Sequence, residues 1–239
     1  FLIDQDYEEK VIDQVEAYST ITQEDKVIKE IAKAEVLTTS VMATNLPKVA
    51  PTITKGLKAR AEASNDKKLV VMACENAIMG TDILKKAMIE TGIMTEEEMD
   101  KVAVFPNTAV DRMVFDGHHH GKDGIEVGDA FELPVEKNKL EDPESEPVKG
   151  AEYVDDLAKF LQRKIYMVNC AHAVTSYFGF VKGYSTVQEG LADTQVLEDV
   201  KKTVMESASA LEKIYGFAHE DLVEYMNSMI IKRFTTPGV

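Results

Sequence analysis

Lys164, Asn169 and His172 are the residues whose types and spacing most clearly suggest chemistry. They interrupt an otherwise apolar run, residues 164–175, that is predicted to be helical. At about 3.6 residues per turn the three side chains lie at about 0°, 140° and 80° around the helix axis, so they share one side of it. Burying polar groups on an apolar helix is costly unless each has a partner. Either this side lines a polar pocket, or its residues satisfy one another.

The three residue types suit the oxidation of an alcohol. A lysine whose pKa is lowered by desolvation can remove the hydroxyl proton while hydride leaves the carbon. The amide N–H of an asparagine can hold the oxygen as negative charge develops on it. A histidine one turn further on can orient the substrate or the lysine. Each residue taken alone is more simply interpreted as structural, but the three together favour a site.

The elements around these residues indicate an α/β half followed by a helical half. Strands are predicted at residues 1–3, 35–41, 68–73 and 102–105, with helices at 7–18, 46–63 and 76–91. Such alternation is typical of a parallel sheet with helices on its faces. After residue 153 the pattern predicts helices alone. The expected fold class is α/β, a partial doubly wound (Rossmann-like) parallel sheet followed by an all-helical domain.

A polar stretch with two prolines, residues 136–148, is interpreted as the connection between the two halves. Residues 1–148 are expected to form a partial dinucleotide-binding domain, and residues 149–239 a partial helical domain for catalysis and substrate binding. No Gly-x-Gly-x-x-Gly motif follows a strand, so the first β-α unit with its phosphate-cradling turn is expected to be missing.

Composition narrows the class of protein. The formal net charge of −15 argues against a nucleic-acid partner. No stretch approaches the roughly 20 apolar residues of a membrane span, and no secretion signal is apparent, which favours a cytoplasmic protein. Cys74 and Cys170 are expected to be buried, reduced thiols. His118–His120, between two glycines, are interpreted as a loop, and no metal site is expected.

Longer motifs resemble those of the polyol-specific long-chain dehydrogenase family, also called the mannitol dehydrogenase family. The similarity covers essentially all 239 residues. The segment Ala73-Cys-Glu-Asn76 resembles that of family members acting on mannitol 1-phosphate. The matching segments are Lys164-x4-Asn169-x2-His172, Ala73-Cys-Glu-Asn76, Phe105-Pro-Asn-Thr-Ala-Val-Asp-Arg112, Thr38-Thr-Ser-Val41 and Arg233-Phe234.

The resemblance implies roles in the chemical step. Lys164 would be the general base, and Asn169 together with Asn76 would bind the reacting oxygen. His172 would help to line the substrate pocket. Asn76 has an equally good structural interpretation, because it directly precedes a predicted helix and could be its N-cap.

The resemblance also implies that Asp111 and Arg233 line the substrate pocket. Asp111 could instead form an internal ion pair with Arg112 or another cation, and Arg233 could merely complement the C-terminal end of its helix. The family pattern changes near this arginine, where Thr236 stands in place of an asparagine.

Ser40 and Val41, at the end of a predicted strand, would lie beside the cofactor, where open α/β sheets place their ligands. The next residue of relatives is a glycine, but this chain has Met42, which could crowd the cofactor or shift the loop. The cofactor implied by the resemblance is NAD, although the preference over NADP is left open.

The implied activity is hydride transfer between NAD and a polyol, interconverting mannitol 1-phosphate and fructose 6-phosphate with a lysine base and no metal. The partner would be a small polyol phosphate, and a monomer or weak dimer is expected. Relatives extend beyond both ends of this chain, so the fragment alone is expected to be inactive. Alternatives are a mannitol 2-dehydrogenase or hexuronate reductase of the same family, or a non-catalytic protein that retains the fold.

Overall fold

A computed structural model of the chain describes residues 2–3, 8–9, 14–63, 65, 67–116 and 125–235. The chain divides into two compact units. Residues 12–110 and 132–157 form what we call the sheet unit, and residues 1–11, 111–131 and 158–239 form what we call the helical unit.

Short strands and helices alternate along the chain. The strands are β1 (Leu2–Ile3), β2 (Glu8–Glu9), β3 (Val36–Thr39), β4 (Leu69–Ala73), β5 (Ala103–Val104), β6 (Asp111–Asp116), β7 (Ile125–Glu132), β8 (Pro134–Glu136) and β9 (Glu152–Val154). The α-helices are α1 (Glu24–Lys33), α2 (Leu46–Glu62), α3 (Gly80–Glu90), α4 (Glu96–Val102), α5 (Leu157–Arg163), α6 (Cys170–Val181), α7 (Val187–Ala192), α8 (Thr194–Tyr215) and α9 (His219–Tyr225). Two π-helical turns are π1 (Lys164–Asn169) and π2 (Met226–Lys232), and two 3₁₀ turns cover Ala43–Asn45 and Lys137–Lys139.

The centre of the sheet unit is a parallel sheet in the order β3-β4-β5. Every residue of β4 is buried, as expected for a parallel strand covered on both faces. Helices α1 to α4 contribute the surrounding apolar core. The predicted α/β part with a parallel sheet is therefore confirmed.

Two residues of α2, Gly56 and Arg60, determine how this helix contacts α1 and the ends of the strands. A β-carbon at Gly56 would overlap the Ile31 side chain of α1, so glycine permits this close approach. Arg60, only 1% exposed, donates to the carbonyls of Lys67, Ala32 and Ala34. Burial lowers the pKa of this guanidinium. Because its partners are backbone carbonyls, Arg60 ties the amino ends of β3 and β4 to the end of α1.

The helical unit packs α6 to α9 and both π turns around a second core. Helix α8 shows most directly why this core forms. Its buried residues recur at helical spacing and so lie on one face; they are Val196, Val200, Val204, Ala208 and Leu211. It ends at Gly216, whose φ of 68° is a left-handed conformation favoured by glycine. The unit also contains a sheet in the order β2-β1-β7-β6. The predicted helical C-terminal part is confirmed.

Several predicted elements were wrong in detail. Residues 8–9 pair as a strand with β1 and residues 14–19 are not helical, so the described part of the span 7–18 does not form the helix predicted there. Antiparallel pairing with the preceding strand β1 overrides helix propensity at residues 8–9. The helix predicted from Asn76 begins at Gly80, and helix α4 was not predicted. No described helix has both the length and the apolar character needed to cross a bilayer.

Candidate active site

Lys164 and Asn169 are the first and last residues of π1. The N–H of Cys170, which follows, donates to the carbonyl of Ile165 five residues earlier. In such a turn residues five apart stack along the axis, as residues four apart do in an α-helix. Lys164 and Asn169 are therefore closer around the axis than the about 140° expected for a regular α-helix.

His172 lies in the first turn of α6, three residues after Asn169. Residues three apart in an α-helix are neighbours on one face, so the three polar side chains share a narrower face than the sequence predicted. Lys164 is half-buried, while Asn169 and His172 are exposed. Beneath them Met167 and Val168 enter the core, so π1 holds its polar face above a packed apolar one.

Arg233 and Asp111 form a buried, two-pronged ion pair in the helical unit. The Nη1 and Nη2 atoms of Arg233 lie 2.9 and 3.0 Å from the two carboxylate oxygens of Asp111. The two residues are 7% and 8% exposed, and Nη1 also donates to the carbonyl of Met229. Within the described part of the chain, the buried Nε–H of Arg233 has no acceptor. The pair therefore cancels its own charge but leaves one oriented donor.

The partner of Asp111 is thus Arg233 and not Arg112. Arg112 Nε instead donates to the carbonyl of Gly128 at 2.8 Å, and its guanidinium lies over the Phe131 ring. Arg233 does more than complement a helix end, since a carboxylate 122 residues away in sequence holds it.

The aromatic ring of Phe234 connects this ion pair to the helix that carries the polar face. Its centroid lies 5.1 Å from that of His172, with the rings tilted by 43°. Phe234 directly follows Arg233, so His172 and the Arg233–Asp111 pair belong to one neighbourhood of the helical unit.

Ser40 and Val41 directly follow β3, at the carboxyl end of the parallel sheet. Ser40 is exposed and Val41 is half-buried. Met42 then adopts φ 68° and ψ 135°, with its side chain 71% exposed. The loop therefore keeps a backbone conformation suited to glycine, and it carries the larger side chain toward solvent.

Asn76 is exposed on the loop between β4 and α3, also at the carboxyl end of the sheet. It does not cap α3, because that helix begins four residues later. The cap comes from the buried Asn107, whose Oδ1 accepts from the N–H groups of Thr81 and Asp82 at 3.1 and 3.2 Å. The N-cap interpretation of Asn76 was wrong, since Met79 holds the N-cap position of α3.

Sequence reasoning missed Glu75, which precedes Asn76 and is only 6% exposed. Its Oε1 accepts from the Thr39 hydroxyl at 2.8 Å and from the Val41 N–H at 2.9 Å. The one available signal was a glutamate inside the Ala-Cys-Glu-Asn motif, directly after a strand with no charged residue. Its partners lie more than 30 residues away, so spacing alone could not reveal them.

Cys74 and Cys170 are free and half-buried. Burial, with a smaller effect from Glu75, raises the pKa of the Cys74 thiol. No cluster of His, Cys, Asp or Glu that could hold a metal ion occurs among the described residues. His118–His120 and Thr236 lie outside the described residues.

The predicted site residues fall into two groups, each assembled within its own unit. The sheet unit holds Ser40, Val41 and Asn76 at the carboxyl end of its parallel sheet. The helical unit holds Lys164, Asn169, His172, Asp111 and Arg233.

Both halves of the chain match known protein families. Residues 1–146 match the family model for the mannitol dehydrogenase Rossmann domain, and residues 156–239 match that for the mannitol dehydrogenase C-terminal domain. A mannitol-1-phosphate 5-dehydrogenase of Geobacillus stearothermophilus is 35% identical over 239 residues, covering 100% of this chain and 62% of the relative. One of Oceanobacillus iheyensis is 35% identical, covering 100% of this chain and 61% of the relative. The chain thus spans about three fifths of the length of these relatives.

Solved structures show the same fold. A D-sorbitol dehydrogenase in substrate-free form superposes with a TM-score of 0.71 and 19% identity, covering 90% of this chain and 53% of the other. The Pseudomonas fluorescens mannitol 2-dehydrogenase, solved as a ternary complex with NAD and D-mannitol, gives a TM-score of 0.68 and 18% identity, covering 88% of this chain and 51% of the other.

Proposed function

The chain belongs to the mannitol dehydrogenase family, and from that premise we propose that the whole protein transfers a hydride between NAD and a polyol phosphate, interconverting mannitol 1-phosphate and fructose 6-phosphate. The observation that carries this proposal is the similarity, over the full chain, to mannitol-1-phosphate 5-dehydrogenases. It is supported by a lysine, an asparagine and a histidine on one face at π1 and the start of α6.

In the proposed chemistry Lys164 accepts the hydroxyl proton of the polyol. The side-chain amides of Asn169 and Asn76 donate hydrogen bonds to the same oxygen as it gains negative charge. When bound, NAD accepts the hydride that leaves the alcohol carbon. In the reverse direction the Lys164 ammonium returns the proton to the carbonyl oxygen. No metal takes part in this proposal, since the ammonium and the amides supply the polarising charge.

His172, Asp111 and Arg233 are proposed to bind the polyol. The Asp111 carboxylate holds the Arg233 guanidinium by two hydrogen bonds, so its orientation is fixed before substrate arrives. The buried Nε–H of Arg233 without a described acceptor supports this role, because buried donors normally have a partner. Since the pair is neutral overall, we assign it to hydroxyl recognition rather than to the phosphate.

Ser40 and Val41 are proposed to contact the cofactor. They follow the carboxyl end of a parallel strand, and Ser40 is exposed there, which fits the position at which open α/β sheets bind nucleotides. In this proposal residues 1–148 bind the cofactor, and residues 149–239 supply most of the catalytic and substrate-binding side chains.

The proposal includes a monomer or weak dimer located in the cytoplasm. Sedimentation velocity across a concentration series tests the assembly, because a weak dimer dissociates on dilution. Cell fractionation of the tagged whole protein tests the location.

The decisive experiment measures NADH formation by the whole protein with mannitol 1-phosphate and free mannitol side by side. Lys164→Ala should lower kcat by about 10²- to 10⁴-fold, the usual contribution of a general base. Lys202→Ala is the matched control, since it removes a lysine that is 71% exposed on α8. This control should keep wild-type activity.

Each other outcome selects a different function. Turnover of free mannitol alone indicates a mannitol 2-dehydrogenase and keeps the lysine mechanism. Turnover of hexuronates alone indicates a hexuronate reductase. A folded whole protein that turns over none of these substrates is a non-catalytic member of the fold.

A further inference from the structure

Glu75 is a buried carboxylate that the proposed chemistry does not use. It lies at the carboxyl end of β4, where its Oε1 accepts from the Thr39 hydroxyl at 2.8 Å and the Val41 N–H at 2.9 Å. Thr39 is 5% exposed and Glu75 is 6% exposed. Hydrogen bonds to an ionised acceptor out of water are among the stronger ones in proteins. This carboxylate therefore joins the ends of two neighbouring strands.

Its position in sequence makes this connection relevant to the site. On one side Glu75 directly precedes Asn76, the proposed contact of the reacting oxygen. On the other side it holds the N–H of Val41, a proposed cofactor contact, one residue before the chain turns at Met42 with φ 68°. One side chain thus connects both groups that the sheet unit contributes to the proposed site.

The surrounding bonds hold the β4–α3 loop at its two ends, while the bond from Asn45 Nδ2 to the Val41 carbonyl closes the turn after β3 on itself without joining it to that loop. The Cys74 N–H donates to the Thr39 carbonyl at 2.9 Å, and the Ala73 N–H donates to the Thr81 hydroxyl at 2.9 Å. Neither bond includes Val41. Loss of the Glu75 carboxylate would leave the part-buried Val41 N–H without its acceptor.

We propose that Glu75 is a positioning residue that fixes the Val41–Met42 turn against the loop carrying Asn76, and so sets the spacing between the cofactor contact and the oxygen contact. Its meaning for activity rests on the proposed function. The connection itself is a property of the protein without ligand, so it can be measured separately.

The first test is amide hydrogen exchange of the whole protein without ligand. Glu75→Ala should speed exchange at least tenfold in peptides covering residues 40–42 and 74–79, because the Val41 N–H loses its acceptor. Glu75→Gln keeps an oxygen that can accept from both donors, so it should restore most of the protection. A general loss of stability would raise exchange throughout the sheet unit and would not be rescued by glutamine.

The second test is the dissociation constant of NADH, followed by its fluorescence, together with kcat and KM. Glu75→Ala should weaken NADH binding on the order of tenfold and lower kcat as well. Glu75→Gln should stay within a few-fold of wild type.

Two buried threonines give a matched pair for this test. Thr39→Val removes the hydroxyl that donates to Glu75, while Thr54→Val removes one that donates to the Ala50 carbonyl inside α2. Both hydroxyls form bonds of 2.8 Å. Thr39→Val should lower the melting temperature more than Thr54→Val, because its hydroxyl donates to a carboxylate, and only Thr39→Val should raise the NADH dissociation constant.

Failure of this inference differs from failure of the proposed function. If wild type binds NADH and turns over the polyol phosphate while Glu75→Ala leaves exchange and binding unchanged, the positioning role is overturned. If Glu75→Ala does not fold, Thr39→Val decides, and binding equal to that of Thr54→Val overturns the role. If wild type neither binds NADH nor turns over any polyol, the proposed function fails, and the exchange experiment still decides the Glu75 connection.

Discussion

Met42 combines a large side chain with a backbone conformation that favours glycine. Its φ of 68° and ψ of 135° lie in a region where a β-carbon meets the neighbouring backbone. A non-glycine residue held in such a region costs about 1–3 kcal/mol, which the surrounding structure must offset. The Asn45 side chain contributes to that, because its Nδ2 donates to the Val41 carbonyl at 2.7 Å.

We therefore expect Met42→Gly to stabilise the protein. Relief of backbone strain, less the extra freedom of glycine in the unfolded chain, leaves a gain of about 1 kcal/mol. This corresponds to a melting temperature higher by about 2–4 °C in a chain of this size. Calorimetry measures it, with Met42→Ala as the control that keeps the β-carbon and hence the strain. A Met42→Gly protein no more stable than Met42→Ala would mean that this conformation costs nothing.

At the residue scale, the sequence predicted side chains by their type but not their long-range partners. Lys164, Asn169 and His172 could be found because polar residues stand out on an apolar helix. Glu75 could not, because its role depends on the end of another strand. The ion pair between Asp111 and Arg233 was not predicted for the same reason, because the adjacent Arg112 is the obvious partner of Asp111 by sequence.

At the element scale, a fixed helical period was the limiting assumption. Residues 164–169 and 226–232 form π turns, of which the first begins and ends with proposed site residues and the second directly precedes Arg233. An assumed repeat of about 3.6 residues spread Lys164 and Asn169 too widely, although it placed the helix correctly. No simple sequence pattern predicts a π turn, because the wider turn depends on packing against neighbouring elements.

Helix α8 offers a pH-dependent test at the same scale. Its N-cap residue Asp193 accepts from the N–H groups of Gln195 and Val196, from Lys182 Nζ at 2.8 Å and from the Tyr184 hydroxyl at 3.0 Å. The Lys182 hydrogen bond, followed by that of Val196, lowers the pKa of Asp193 from 3.8 to about 2. The ionised carboxylate thus stabilises the folded state above the unfolded pKa of 3.8, and this contribution is lost as pH falls toward 2.

We expect Asp193→Asn to lower the melting temperature at pH 6 and to approach wild type as the pH falls from about 4 to about 2. Asparagine keeps an oxygen for the cap but cannot ionise. Thermal melts of both proteins across this range measure the difference. Lys182→Met should remove part of the same contribution, because Lys182 is the main cause of the lowered pKa. A difference between wild type and Asp193→Asn that stays constant across the range would contradict the assignment.

At the scale of the whole molecule, the alternation of elements was sufficient to predict a parallel sheet followed by helices. The fully apolar β4 is the clearest reason, since a strand covered on both faces is typically apolar throughout. The assembly of β1, β2, β6 and β7 into a separate sheet was not predicted. Its β1–β7 pairing joins segments more than 100 residues apart, which no local pattern encodes.

The chain has 42 acidic and only 27 basic residues, so the dependence of its melting temperature on salt concentration is a test at the scale of the whole molecule. A net charge of −15 destabilises the compact state through self-repulsion. Raising NaCl from about 10 mM to about 150 mM shortens the screening length from about 30 Å to about 8 Å, so the melting temperature should rise and then level off. Exposed ion pairs oppose this only weakly, as each contributes about 0–1 kcal/mol. Tetramethylammonium chloride at equal ionic strength should act alike, because screening does not depend on which cation is present. A melting temperature that falls with salt would show that attractive pairs outweigh the net repulsion.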